Sequence, residues 1–285
     1  MIEVKLAITF KTIFTNNIQL HTAIAGPEDG EPVILLHGFP DAWFGWESQI
    51  RALGEAGFRV YAPDQRGYNL SDKPAGVSNY QIHHQVADII GLADALGIER
   101  FHLGGHDFGA IVAWNLAMQH PKRLKKLVIA NVPHPAVMRS FLKSNPSQML
   151  KSWYAFFFQI PWLPEAVVRA NNWNFLISAM PNYFSDQMRD RYRKAWRQPG
   201  AITGMINWYR ASLRRMQISA HTPRIEVSTL ILWGQQDPHI RYEMAALSLA
   251  YCDDGRLETF EDASHWVLMD EPEETSRLIS EHFSI

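Results

Sequence analysis

Asp107 lies at the centre of the segment Gly-His-Asp-Phe-Gly, residues 105–109, a pattern typical of a nucleophile elbow. The apolar run 100–103 before it predicts a buried strand, and residues 108–120 after it predict an apolar helix. Glycines flank the central residue because a sharp strand-to-helix turn leaves no room for side chains beside it. The usual central residue is serine, whereas this chain has an aspartate.

That aspartate changes the chemistry that the segment predicts. A carboxylate has a reference pKa of about 3.9 and is ionised at neutral pH, so Asp107 can attack without a general base. Its attack on a saturated carbon forms an alkyl ester of the protein itself. The segment therefore predicts displacement at an sp3 carbon, as in an epoxide or an alkyl halide, rather than cleavage of an ordinary ester or amide.

An acid and a histidine follow in the order expected of α/β-hydrolases. Asp237 comes after the predicted strand 229–233, and His265 comes after the predicted strand 256–260. Ligands of an open parallel sheet lie at the carboxyl ends of its strands. His265, with a reference pKa of about 6.5, suits the activation of the water that attacks the ester. Asp237 would then fix the tautomer of its ring.

Ester hydrolysis also needs donors for the oxyanion, and the sequence supplies two candidate backbone N–H groups. One belongs to Phe108, directly after Asp107. The other belongs to Phe39 in the segment His-Gly-Phe-Pro, residues 37–40, which follows an apolar run. Pro40 has no N–H and fixes the turn, with a cis bond as one option, so that the Phe39 N–H would point inward.

Simpler interpretations stay open for these residues. Asp107 could be a turn residue, because aspartate is common in tight turns. His265 is one of twelve histidines, and His106 is expected to pack or hydrogen-bond behind the elbow. Asp237 could cap the following helix, and Asn131, which is not an acid, occupies the strand end that supplies the acid in some hydrolases. Other acids near Asp237 in the sequence are Asp253, Asp254 and Asp262.

The surrounding pattern predicts an α/β fold with a mostly parallel central sheet and helices on both faces. Between residues 134 and 222 the alternation of strands and helices stops. This segment is rich in tryptophan and divided by prolines, so we expect a helical cap inserted into a core formed by residues 1–133 and 223–285. The predicted strands are 4–10, 33–36, 59–62, 101–103, 127–130, 229–233 and 256–260, and the predicted helices are 46–56, 81–96, 108–120, 243–250 and 274–283.

Composition indicates an ordinary globular protein. The 285 residues include 27 Lys or Arg and 29 Asp or Glu, and the net charge of −2 gives no sign of nucleic acid or of an anionic membrane as a partner. The single cysteine excludes an internal disulfide and a cysteine zinc site. No run reaches the roughly 20 apolar residues of a membrane span, and the N-terminus does not resemble a signal peptide. We expect a cytoplasmic monomer or homodimer without a membrane partner.

These motifs resemble those of the epoxide hydrolase family within the α/β-hydrolase superfamily, over nearly the whole chain. The resemblance implies that Tyr154 and Tyr209 donate a proton to the epoxide oxygen, with water as the second substrate and no metal or organic cofactor. By composition alone, each tyrosine would more often be a core residue. The matching segments, besides Asp237 and His265, are 37–40, Ala-Pro-Asp-Gln-Arg-Gly-Tyr at 62–68, 105–109, Ser-Trp-Tyr-Ala-Phe-Phe-Phe-Gln at 152–159 and Asn-Trp-Tyr-Arg at 207–210.

One position departs from the family's pattern. The residue after the nucleophile is commonly tryptophan, but here it is Phe108, which keeps the backbone N–H and lacks the indole donor. Haloalkane dehalogenases bind halide with that indole and with a second donor, for example an asparagine where this chain has Phe39. Fluoroacetate dehalogenases place an arginine after the nucleophile. The departures favour an epoxide over a halide, and the alternatives are a dehalogenase of the same fold or a non-catalytic ligand-binding protein.

Several aromatic residues near these motifs are candidates for lining the substrate pocket, together with Phe39 and Phe108. The same residues could equally serve packing between the cap and the core. They are Trp43, Phe156 and Trp266.

Overall fold

The computed structural model describes residues 6–214 and 224–284. Its eight strands are β1 (Thr9–Thr15), β2 (Ile18–Ala25), β3 (Glu31–Leu36), β4 (Phe58–Pro63), β5 (Phe101–His106), β6 (Leu124–Ala130), β7 (Thr229–Gly234) and β8 (Gly255–Phe260). They form one sheet in the order β1-β2-β4-β3-β5-β6-β7-β8. β2 pairs antiparallel with β1 and β4, and the other neighbours pair in parallel. The predicted α/β fold with a mostly parallel sheet is confirmed.

Among the strands that carry the site, β7 reads as a continuous apolar run because it is covered on both faces. Every residue of β5 and of β7 is buried. The N-terminal prediction was less accurate, since β1 begins at Thr9, while Val4 lies outside the described residues. The signal for the β1–β2 hairpin is the pair Asn16 and Asn17, whose positive φ angles of 44° and 61° suit a two-residue hairpin turn.

Helices flank the sheet and also fill the long connection between β6 and β7. The core helices pack in pairs, α1 with α12 and α2 with α3. In the described part of the chain, no helix combines the length and hydropathy that crossing a membrane requires. The helices are α1 (Glu47–Glu55), α2 (Ile82–Ala95), α3 (Phe108–Gln119), α4 (Pro135–Ser144), α5 (Pro146–Lys151), α6 (Trp153–Phe157), α7 (Leu163–Ile177), α8 (Asp186–Trp196), α9 (Ala201–Arg214), α10 (Glu243–Leu249), α11 (Val267–Asp270) and α12 (Pro272–Ser284).

Residues 134–214, here called the helical insertion, contain α4 to α9 and no strand. Prolines divide it as expected, since α4 begins at Pro135 and α5 at Pro146, where the missing N–H costs nothing. The predicted boundary at 222 lies outside the described residues. The division into 1–133, 134–222 and 223–285 stays a prediction.

The helical insertion sits on the core through a close backbone contact. A Cβ on Gly204 of α9 would lie 2.7 Å from Cα of Gly67, so glycine lets the two backbones touch. One turn further along α9, the indole of Trp208 donates to the carbonyl oxygen of Arg66 at 2.9 Å. The side chain of Arg66 is itself buried against Asp88. The segment 62–68 therefore seats the helix that carries Tyr209.

Within the insertion, the buried side chain of Arg210 joins α9 to α7. Its guanidinium donates to both carboxylate oxygens of Glu165, at 2.6 and 3.0 Å. It also donates to the carbonyl oxygens of Phe158 and Ile160, at 3.0 and 2.8 Å. Because these four bonds hold the planar guanidinium, they fix the segment after α6 relative to α9. Tyr209, the residue before Arg210, is fixed with it.

Candidate active site

The backbone at Asp107 makes a strained turn between β5 and α3. Its φ of 50° and ψ of −122° are rare for a residue with a side chain. A Cβ on Gly105 would lie 2.5 Å from the carbonyl oxygen of Gly109, and a Cβ on Gly109 would lie 2.1 Å from that of Leu36. Asp107 precedes α3 but its side chain makes no capping hydrogen bond. A mere turn or capping role therefore does not explain the carboxylate.

The carboxylate of Asp107 is held instead by the loop after β3. The Phe39 N–H donates to Oδ1 of Asp107 at 2.6 Å, and the Phe39–Pro40 bond is cis. A Cβ on Gly38 would lie 2.3 Å from the same Oδ1, so only glycine allows this approach. Phe108 opens α3, and the first N–H groups of a helix have no acceptor within it. The structure thus brings the Phe39 N–H to the carboxylate, and Phe108, the other predicted donor, directly follows Asp107 in the chain.

His265 stands on the other side of the same carboxylate. Its Nε2 lies 3.6 Å from Oδ2 of Asp107, and its Nδ1 lies 2.7 Å from Oδ2 of Asp237. The other oxygen of Asp237 accepts the N–H groups of His239 and Ile240, at 2.7 and 2.9 Å. Asp237 therefore both caps the local turn and holds the histidine, one oxygen for each. The neighbouring acids Asp253, Asp254 and Asp262 are exposed.

Asn131 completes the support of Asp237. It follows β6, and its side-chain N–H donates to Oδ2 of Asp237 at 2.8 Å. Its Oδ1 accepts the Gly234 N–H at the end of β7, at 3.0 Å. In the sequence alone, Asn131 is notable only as a residue that is not an acid at a strand end that supplies the acid in some hydrolases. The structure shows that it fixes the acid supplied by the next strand.

Burial and charge act against each other in this row of groups. Burial raises the pKa of Asp107 and of Asp237, but the nearby His265 outweighs it and holds both pKa values below their ordinary range. Burial lowers the pKa of His265, but the two carboxylates outweigh burial and raise the pKa to about 10. The row is therefore an imidazolium between two carboxylates.

Two more histidines pack around this row and are neutral. His106 Nε2 lies 2.8 Å from the carbonyl oxygen of His265, which places it behind the elbow as expected. The ring of His239 lies 5.5 Å from those of both Tyr154 and His265. Burial and the charge of His265 lower the pKa of His106 and of His239 to about 4. His239 belongs to none of the motifs recognised in the sequence.

Tyr154 and Tyr209 meet at the same place. Their ring centroids are 5.8 Å apart, and the ring of Tyr209 lies 4.6 Å from that of Phe108 and 5.1 Å from that of Phe39. Burial raises the pKa of both phenols, and the charge of Asp107 raises it further. Both phenols are therefore neutral, and their protons are available beside the carboxylate.

The three aromatic residues predicted to line the pocket have different positions. Trp266 contacts the site, since its ring lies 6.2 Å from that of His265. The structure does not bring Trp43 there, because its ring packs against Phe10 and beneath a guanidinium of α8. Phe156 does not lie at the site either, because its ring is half exposed. It comes two residues after Tyr154 on α6 and therefore lies on the other side of the helix.

A buried carboxyl near the site, Asp41, is absent from the sequence analysis. It accepts the Ala42 N–H at 2.7 Å and the hydroxyl of Tyr192, from α8, at 2.9 Å. Burial raises its pKa to about 7, and the charges of Asp107 and Asp64 act in the same direction. Asp41 thus links the core to the helical insertion through a hydrogen bond. Among the described residues, no group of three or more His, Cys, Asp or Glu could hold a metal ion.

Comparison with known proteins places the chain in a family. Residues 31–272 match the family model of the alpha/beta hydrolase fold. The AB hydrolase superfamily protein YfhM of Bacillus subtilis is 44% identical, over 94% of this chain and 95% of that protein. Epoxide hydrolase 2 of Caenorhabditis elegans is 35% identical, over 92% of this chain and 76% of that protein. The crystal structure of a Bacillus megaterium epoxide hydrolase with an inhibitor matches with a TM-score of 0.89 and 28% identity, covering 96% and 100% of the two chains.

The chain therefore belongs to the α/β-hydrolase fold superfamily and, within it, to the epoxide hydrolase family. It is a hydrolase. The resemblance inferred from the sequence is confirmed.

The buried Asp41 makes a prediction about stability. Its folded pKa of about 7 lies above its ordinary value of 3.8, so its contribution to stability is complete below about pH 4 and is lost as the pH rises to about 7. Asp41→Asn keeps both hydrogen bonds and cannot ionise. Between those two pH values, the free energy of unfolding of the variant should rise relative to wild type by on the order of a few kcal/mol.

Urea unfolding of both proteins at the two pH values measures this difference. Asp29→Asn, at an exposed aspartate, is the matched control and should show no such pH dependence. A difference between Asp41→Asn and wild type that is constant with pH would contradict a neutral Asp41.

Proposed function

We propose that the chain hydrolyses an epoxide to a vicinal diol through a covalent hydroxyalkyl ester on Asp107. The observation that carries the proposal is that the Asp107 carboxylate faces the His265–Asp237 pair, while the neutral phenols of Tyr154 and Tyr209 pack together close enough for its charge to raise their pKa. The epoxide hydrolases among its relatives support the substrate class.

In the first step, Oδ2 of Asp107 attacks one carbon of the epoxide. Oδ1 is held by the Phe39 N–H, so Oδ2 is the oxygen placed to form the new bond. As that bond forms, the carbon–oxygen bond of the ring breaks, and Tyr154 or Tyr209 gives its proton to the departing oxygen. Without this proton the opened ring would leave as an alkoxide, which is a poor leaving group.

Alkylation removes the negative charge of Asp107. His265 then faces only one carboxylate, so its pKa falls from about 10 and its proton can restore the phenol. The neutral imidazole takes a proton from water, whose oxygen attacks Cγ of the ester. Oδ1 becomes the oxyanion, and the N–H groups of Phe39 and Phe108 stabilise it.

Collapse of this intermediate breaks the bond between Cγ and Oδ2. The diol leaves with Oδ2 and takes the proton from His265, and Asp107 keeps the oxygen of water. The new carboxylic acid returns its proton to the imidazole, which restores the starting charges. The sum is one epoxide and one water converted to one diol.

The indole donors next to the site, of the kind that haloalkane dehalogenases use to bind halide, are engaged elsewhere. The indoles of Trp208 and Trp266, both next to the site, donate to backbone carbonyl oxygens at 2.9 and 3.1 Å. The side chains of Phe39 and Phe108 have no donor. The site therefore favours an epoxide oxygen, which takes a proton, over a chloride or fluoride, which needs hydrogen bonds.

Replacing the base should stop the reaction at the ester. His265→Gln keeps a polar side chain of similar size and removes the base, so Asp107 is alkylated and water does not release it. Intact-protein mass spectrometry after addition of styrene oxide should show a mass increase equal to that of the substrate, located on the peptide that contains Asp107.

The matched control is the double variant Asp107→Ala, His265→Gln, which should stay unmodified. Wild type should convert members of a panel of aliphatic and aryl epoxides to diols, and Asp107→Ala alone should not. Full activity of Asp107→Ala, or halide release from chlorinated substrates with no diol from any epoxide, would contradict the proposal.

Removing either phenol should slow ring opening. Tyr154→Phe and Tyr209→Phe keep the ring packing and remove the proton donor, so each should lower kcat for diol formation by roughly a hundredfold. Tyr183→Phe is the control, because this exposed phenol donates to Asp270 and should not affect the rate. Unchanged rates in both site variants would exclude the phenols as acids.

A further inference from the structure

The outer side of the helical insertion carries exposed apolar side chains in a row. α5 continues almost directly into α6, because the Ser152 N–H donates to the carbonyl oxygen of Gln148 at 3.0 Å. Positions 149, 153 and 156 then fall on one helical face, and Ile160 and Trp162 follow in the chain after α6 has ended at Phe157. The most exposed of these apolar side chains are Trp162 and Leu150, with exposed fractions of 77% and 75%. The row, here called the apolar stripe, consists of Met149, Leu150, Trp153, Phe156, Ile160 and Trp162, all exposed.

The opposite side of α6 is apolar as well. It presents Tyr154 and the following Phe158 to the site, where their rings pack near Tyr209. A helix that is apolar on both sides is typical of one that is covered on both sides. Ordinary protein surfaces carry large apolar side chains that are scattered singly. Several of them side by side form a patch, and patches of this kind mark docking sites.

Charge is divided unevenly between the helical insertion and the rest of the chain. Residues 134–214 contain 11 Lys or Arg and 3 Asp or Glu, a net charge of +8, whereas all other residues contain 16 and 26, a net charge of −10. One of the three acids, Glu165, is buried in its pair with Arg210. Near the apolar stripe in the sequence, Lys143 and Arg169 are exposed.

We propose that the apolar stripe docks the helical insertion on an anionic lipid bilayer. Tryptophan and long apolar side chains lie favourably at the level of the headgroups. The positive net charge of the insertion adds attraction to anionic lipids. A second copy docked through its own helical insertion would bring two segments of net charge +8 together, which disfavours that occupant.

The proposed docking on a bilayer differs from the expectation, based on composition, that the chain has no membrane partner. That expectation rests on the net charge of the whole chain, −2, in which the opposite charges of the two parts cancel. Electrostatic attraction to a surface depends on the charges that face it within about 10 Å, because salt screens the rest. The stripe also explains why Phe156 does not line the substrate pocket.

Flotation of the full chain with lipid vesicles tests the proposal. The protein should bind vesicles of phosphatidylglycerol and phosphatidylcholine at low salt, bind vesicles of phosphatidylcholine alone much more weakly, and be released by added salt. The double variant Leu150→Ser, Trp162→Ser should lower the partition coefficient at least about tenfold. The double variant Phe14→Ser, Leu70→Ser, at exposed apolar residues of the core, is the matched control and should bind as wild type does.

A second pair of variants tests the role of charge. Lys143→Glu with Arg169→Glu should lower binding to the anionic vesicles by roughly tenfold or more. Lys11→Glu with Lys122→Glu makes the same change of charge at exposed core positions and should have little effect. Thermal unfolding of every variant shows that all of them are folded, which is expected because the substituted side chains are exposed.

Three results would overturn the proposal. One is no binding to anionic vesicles at low salt, and another is equal binding to vesicles with and without phosphatidylglycerol. The third is a wild-type dimer in light scattering that Leu150→Ser, Trp162→Ser converts to a monomer, because the stripe would then contact a second copy.

Discussion

Asp107, His265 and Asp237 form a row of three charges in which the last two are buried and Asp107 is partly buried, and the surrounding loops are built to satisfy these charges. Taking these groups out of water is costly, and their mutual attraction offsets the cost only if the geometry is good and the remaining lone pairs are satisfied. Asn131 and the backbone N–H groups of the turn after Asp237 satisfy one end, and the Phe39 N–H satisfies the other. The strained elbow at Asp107 is tolerated because glycines on three sides leave it room.

The helical insertion brings two neutral phenols, Tyr154 and Tyr209, close to a negatively charged carboxylate. A phenol beside a carboxylate stays protonated when both are buried, since the charge and the burial act in the same direction. Aromatic packing against Phe39 and Phe108 places Tyr209, and the Gly67–Gly204 contact places the helix that bears it. The loss of tryptophan at position 108 is thus compatible with the site, because a ring of similar shape supports the phenol.

The sequence predicts the fold and the main site residues because these depend on local patterns. A nucleophile elbow needs particular neighbours within five residues, and residues at the carboxyl ends of parallel strands meet whatever their separation in the chain. Asp107, Asp237 and His265 are therefore found from strand ends and chain order. Tyr154 and Tyr209 are different, since only the family resemblance distinguishes them from other buried tyrosines.

The remaining parts depend on contacts that no local pattern encodes. Asp41 is paired with Tyr192, 151 residues away, and Asn131 with Asp237, 106 residues away. Trp43 and Phe156 fail as pocket residues because an aromatic side chain suits a pocket, a core or an exposed docking face equally well by type. Only the direction in which the side chain points decides among these, and that direction follows from packing.

The proposed covalent ester on Asp107 can be tested by following the oxygen atoms through a single turnover. An excess of enzyme reacts with an unlabelled epoxide in heavy-oxygen water, and mass spectrometry follows the label. The diol of the first turnover should be unlabelled, because it leaves with an oxygen of Asp107. The peptide that contains Asp107 should then carry one heavy oxygen. A diol that carries heavy oxygen from the first turnover, with an unlabelled peptide, would mean that water attacks the epoxide directly and would contradict the account.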